Sequence, residues 1–117
     1  MDYDPFEELI DEPLRIDKET LRKLVSLRDS EIFSELPGSI PGEKEWLSGL
    51  LIKLINDLVS GIEENPSKGW VMQQFKPSLE ELYGEDTEAR DHYGDHLELI
   101  MDILDIESSD GILSFYL

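Results

Sequence analysis

Apolar residues recur every three or four positions through most of this chain, and no stretch alternates long enough with the period of two that a strand needs. From Asp17, a capping residue, Leu21, Leu24, Val25 and Arg28 follow helical spacing, and Ile32, Phe33 and Leu36 carry the apolar face on to Pro37-Gly38. The spacing predicts a first helix there, bent near Asp29-Ser30, followed by a Pro- and Gly-rich connector from Leu36 to Gly42. Glu43 opens a second helix over about residues 43 to 64, with acids in its first turn where the dipole favours them. Its apolar face, Trp46, Leu47, Leu50, Leu51, Leu54, Ile55, Leu58, Val59 and Ile62, is broad enough to make it the most buried element.

A third helix over about residues 67 to 75 carries Trp70, Val71 and Phe75. Pro77 is expected to break or kink it before a short piece through Leu79, Leu82 and Tyr83 that Gly84 closes. A fourth helix is expected over about residues 86 to 105, with Ala89, Tyr93, Leu97, Ile100, Met101 and Leu104 along one side. The tail from Ser108 to Leu117 is too apolar to stay free and should form a last helical turn or two docked on the core. The expected fold is all-α, a single-domain irregular bundle of four to five helices over residues 17–117, preceded by an acidic N-terminal arm at 1–16.

The face of the fourth helix opposite its apolar side changes the picture. Glu88, Asp91, Asp95, Glu98, Asp102 and Asp105 recur at spacings of three and four, which aligns six carboxylates on one side of a helix over about 25 Å. A solvated face is the ordinary meaning of such a stripe. An ordinary face, however, mixes signs and gains about 0.2–0.5 kcal/mol from each i,i+4 pair, whereas here like charges repel by similar amounts. Residues 79 to 117 hold 12 acids and one base, Arg90, within a chain of 117 residues and net charge -18. That balance repels nucleic acid and anionic membranes and attracts basic proteins or cations.

Other chemistry is sparse. Without cysteine the chain has neither disulfides nor thiolate metal sites, so the cytoplasm is the default location. The first residues lack the basic and apolar runs of a signal or transit peptide, and Lys53, Asn56 and Asp57 interrupt the most apolar run, leaving no membrane span. His92 and His96 stand four apart, the spacing at which two imidazoles share a metal, but they project well away from the acidic stripe and lack the Glu directly after the first His that hydrolytic zinc helices use. Boundary histidines with structural hydrogen bonds are the plainer reading. Glu63-Glu64 and Glu80-Glu81 point about 100° apart on a helix and cannot share a proton. Ser108-Ser109-Asp110-Gly111 reads as an N-cap and turn rather than a nucleophile site. Trp46, Trp70, Phe75, Tyr83 and Tyr93 are expected in the core, with Phe6, Phe115 and Tyr116 the candidates for exposed anchors. No cofactor-binding motif is present.

The stretch Trp46 to Pro77, with Asn65-Pro66-Ser67-Lys68-Gly69-Trp70-Val71 and Phe75-Lys76-Pro77, together with Met101 to Leu113, resembles a small uncharacterised bacterial family classed as a domain of unknown function. The resemblance covers about the C-terminal two thirds of the chain, implies a compact helical protein of bacterial origin, and transfers no functional residues. In size and charge the chain is also similar to bacterial immunity proteins that neutralise a secreted toxin. The expectation is a non-catalytic acidic protein whose stripe docks on a basic protein partner, a toxin or nuclease being the most concrete. The alternatives are a DNA mimic directed at a nucleic-acid-binding protein, and a metal- or small-molecule-binding protein using His92 and His96.

Overall fold

The computed structural model describes residues 4–30, 42–85 and 87–117. A 3-10 turn (Pro5–Glu8) precedes α1 (Lys18–Asp29), α2 (Glu43–Gly61), α3 (Lys68–Leu82), α4 (Thr87–Ile103) and the short α5 (Ile112–Tyr116). Among the described residues there is no strand, only an isolated antiparallel bridge between Pro13 and Ser67. The fold is all-α.

Asp17 caps α1 as its spacing predicts: the Thr20 N–H and hydroxyl both donate to its Oδ1, at 2.9 Å each. The helix stops at Asp29, with Ser30 N–H turning back to the Leu27 carbonyl at 3.2 Å. The expected continuation through Ile32, Phe33 and Leu36 lies outside the described residues. Arg28 joins this end to the next helix by donating to Asn56 Oδ1 at 2.9 Å. Helix α2 is the centre of the bundle and packs on α1, α3 and α4. Leu47, Leu51, Leu54, Ile55, Leu58 and Ile62 are each 2% exposed or less, and burying six such side chains is worth on the order of 10 kcal/mol before chain entropy is subtracted.

Helix α3 runs through Pro77 without the expected break. Proline removes the N–H that would bond the Gln73 carbonyl and crowds that carbonyl, at about 3 kcal/mol in a helix interior. Val71, Met72, Phe75, Leu79 and Leu82 are fully buried and keep one apolar face in register on both sides of it, so packing outweighs the local cost. Gln73 and Pro77 lie on the exposed side, where solvent serves the freed carbonyl.

Helix α4 buries Tyr93, Leu97 and Ile100 completely, flanked by Ala89, Met101 and Leu104. It ends two residues before the expected limit. Ile106 N–H bonds the Met101 carbonyl at 2.8 Å and Asp105 N–H the Asp102 carbonyl at 3.1 Å, with Asp105 at φ 61. This six-to-one and five-to-two pattern closes a helix with a left-handed residue, a place usually held by glycine. Gly111, at φ 87, turns the chain into α5, which packs on α3 and on the 3-10 turn.

Residues 4–14 are stitched to the bundle. Gly69 N–H donates to Asp11 Oδ1 at 2.7 Å, Lys68 N–H to the Glu12 carbonyl at 2.8 Å, and Leu14 N–H to the Pro66 carbonyl at 2.7 Å. Phe6, a candidate exposed anchor by sequence, is only 9% exposed, with its ring 6.3 Å from that of Tyr116. Its burial follows from the 3-10 turn that Asp4 caps by accepting the Phe6 N–H at 3.0 Å.

Candidate functional site

Five of the six stripe acids, Glu88, Asp91, Asp95, Glu98 and Asp102, stand exposed on α4 because Ala89, Tyr93, Leu97, Ile100 and Leu104 hold the opposite face in the core. Asp105 is exposed as well, but occupies the left-handed position just past the helix. Ion pairs among the described residues join Arg22 to Glu19, Arg28 to Asp29 and Lys68 to Asp110, and none includes a stripe acid. Three aspartates elsewhere have structural work: Asp4, Asp11 and Asp17 accept backbone N–H groups at helix starts.

Beside the stripe runs a groove. Because α5 rests on α3 and the 3-10 turn, it leaves a cavity of about 470 Å³ against α4, lined by Arg90, Asp91, Gly94, Asp95 and Glu98 on one side and Leu113, Ser114 and Leu117 on the other. A second hollow of about 350 Å³ shares Glu98, Leu113 and Ser114 and extends past Asp102 to Ile106 and Ser109. Gly94 lies on the groove floor close to Leu117: a Cβ there would come 2.9 Å from Leu117 Cδ1, which a small shift of that side chain would relieve. The Arg90 Nε is buried without a hydrogen-bond partner. The stripe and the groove overlap at Asp91, Asp95, Glu98 and Asp102, while Glu88 and Asp105 lie outside the groove linings.

The histidines are half-buried at the edge of α4. His96 Nδ1 lies 2.9 Å from the His92 carbonyl, and since a carbonyl only accepts, Nδ1 carries the proton and donates. No cluster of three or more His, Asp or Glu able to hold a metal ion occurs among the described residues. Tyr93, deep in the core, is pushed up to about 12 by burial, so it remains a neutral phenol at physiological pH.

Sequence reasoning missed two features. Lys68 is 4% exposed and donates its ammonium to Asp110 Oδ2 at 2.8 Å, and the same oxygen accepts Ile10 N–H at 2.8 Å. The Lys68 hydrogen bond, seconded by the Ile10 amide, holds the Asp110 carboxyl below the usual carboxylate range. Helical spacing gives no signal for partners so distant in the chain. The second is an aromatic cluster. Tyr83, expected in the core, is 60% exposed and stacks on Phe115 at 6.0 Å, and both rings meet Tyr116 edge-on. Tyr116 itself is buried, Trp46 and Trp70 are partly so, and Phe75 and Tyr93 lie in the core as expected.

No described helix is long and apolar enough to cross a membrane. Comparison with curated proteins gives no match, and comparison with solved structures gives none either. The sequence profile of DUF4844, a domain of unknown function, matches residues 16–117, so the chain belongs to that family.

Proposed function

We propose that the protein is a non-catalytic binding protein of the bacterial cytoplasm whose α4 face docks on a basic protein, most concretely as an immunity protein that neutralises a toxin or nuclease. One observation carries this reading: six exposed carboxylates line one side of α4 and its end, make no ion pair among the described residues, and share the helix with a single base, Arg90. Such a face forgoes the stabilisation that mixed charges supply and leaves its field free for a partner, where it speeds encounter and makes capture salt-sensitive. Carboxylates about 5–6 Å apart along a helix also suit a nuclease groove built for phosphates.

The test is affinity capture from the native host followed by binding measurements on the recovered protein. A basic protein recovered stoichiometrically should bind at least about tenfold more weakly when Asp91, Asp95 and Glu98 are replaced together by Lys, with the fold unchanged by circular dichroism. Unchanged affinity removes this face from the interface.

A further inference from the structure

Resting on the docking reading above, we propose that the α4/α5 groove receives one kind of occupant: an extended peptide segment of the partner in which basic and apolar side chains alternate. The two walls differ in chemistry. The α4 wall presents Asp91, Asp95, Glu98 and Asp102, whereas the α5 side presents Leu113 and Leu117. An extended strand sends successive side chains to opposite faces, so a single segment between the walls faces carboxylates with one set and leucines with the other. The spacings agree: the wall acids are separated by about 4.5–6 Å of helix rise, and side chains on one face of a strand recur at about 6.6 Å. From Asp91 to Asp102 the wall spans about 17 Å, the length of about five extended residues.

The leucines opposite the carboxylates would leave a uniformly basic ligand matched on one wall alone.

The experiment measures fluorescence anisotropy of labelled eight-residue peptides of identical composition, one alternating Lys and Leu and one with four Lys followed by four Leu, against the full chain. The alternating peptide should bind at least about tenfold tighter than the block peptide. Ser114→Trp, an exposed position shared by both hollows, should abolish that difference, while Glu64→Lys, an exposed position past the end of α2 and outside both the stripe and the groove, should preserve it. Equal binding of the two peptides, or a preference that survives Ser114→Trp, overturns the groove assignment. If both peptides bind equally and both are lost in the Asp91, Asp95 and Glu98 reversal, the groove fails while charge-driven docking stands. If a captured partner is indifferent to that reversal, the docking reading itself fails.

Discussion

Asp105 is the residue whose replacement should stabilise the protein most clearly. It sits at φ 61 with its N–H on the Asp102 carbonyl, one residue before the Ile106 N–H that closes the helix on Met101. Two costs meet there. A left-handed conformation costs a residue with a Cβ about 1–2 kcal/mol, at the low end for Asp, and a carboxylate at the negative end of a helix dipole costs about 0.3–1 kcal/mol. Glycine removes both and returns about 0.4–1 kcal/mol through the greater freedom of the unfolded chain. Asp105→Gly should therefore gain about 1 kcal/mol, and with about 2.1 cal/mol/K of unfolding entropy per residue over 117 residues this raises Tm by about 4 °C. Asp105→Asn removes only the charge and should gain about half as much, a gain that shrinks in high salt. Asp105→Ala keeps the backbone penalty and, after the glycine variant's unfolded-state cost is subtracted, should fall about 0.5–1 kcal/mol below it. Thermal and urea unfolding followed by far-UV circular dichroism read all three. A glycine variant no more stable than the alanine variant would refute the left-handed closure of α4.

The Lys68–Asp110 clasp should show a coupling of about 1–2 kcal/mol in a urea double-mutant cycle of Lys68→Met and Asp110→Asn, and additivity would mean that the pair is idle. Since its folded pKa is depressed, the Asp110 contribution should be complete above the ordinary carboxylate value of 3.8 and be lost as pH falls from there through the lower folded value, so wild-type and Asp110→Asn stabilities should converge in strong acid. For Tyr93 the sign is opposite: its pKa is raised from 10.0 to about 12, so the stabilisation is full below pH 10 and is lost as pH rises toward 12. The full shift corresponds to about 3 kcal/mol, and absorbance at 295 nm should show one of the four tyrosines titrating only at that upper limit or on unfolding. Gly61→Ala should destabilise by about 1–3 kcal/mol although alanine favours helices, because its Cβ would come 2.6 Å from the Trp70 ring; a stabilised variant with unchanged tryptophan fluorescence would contradict that contact.

What the sequence revealed was set by the range of the interaction. The helical elements of the described residues were legible from the spacing of Leu, Ile and Val, and Asp17 announced the start of α1, because both are local. Pro77 misled because a local cost of about 3 kcal/mol was weighed without the buried face formed by Val71, Met72, Phe75, Leu79 and Leu82, although that register was already written in the chain. Tyr83 misled for the converse reason: an aromatic at helical spacing reads as core until the position of α5 shows it stacked at the surface on Phe115. The acidic stripe was visible as a repeat, but the groove beside it was not, since it arises where α5 settles on α3 and the 3-10 turn.

Asp105 also bears on how the stripe is used. By spacing it is the sixth member of a helical face, yet the helix has ended before it, so its carboxylate is carried by a strained backbone at an unfavourable pole. Glycine would hold the same turn with less cost to the folded state. Asp102 and Glu98 precede it on the same side, and nothing in their described contacts offsets their repulsion. A chain that only needed a soluble face would relieve that repulsion with an occasional lysine, as α1 does where Arg22 meets Glu19 at 2.9 Å. The docking surface proposed above would account for both features together, because a basic partner would relieve the repulsion. Two forms of that proposal separate in one comparison: Asp105→Gly gains stability under either, but it weakens capture of a basic protein only if the stripe acts as a whole, and leaves capture intact if binding is confined to the groove between Asp91 and Asp102.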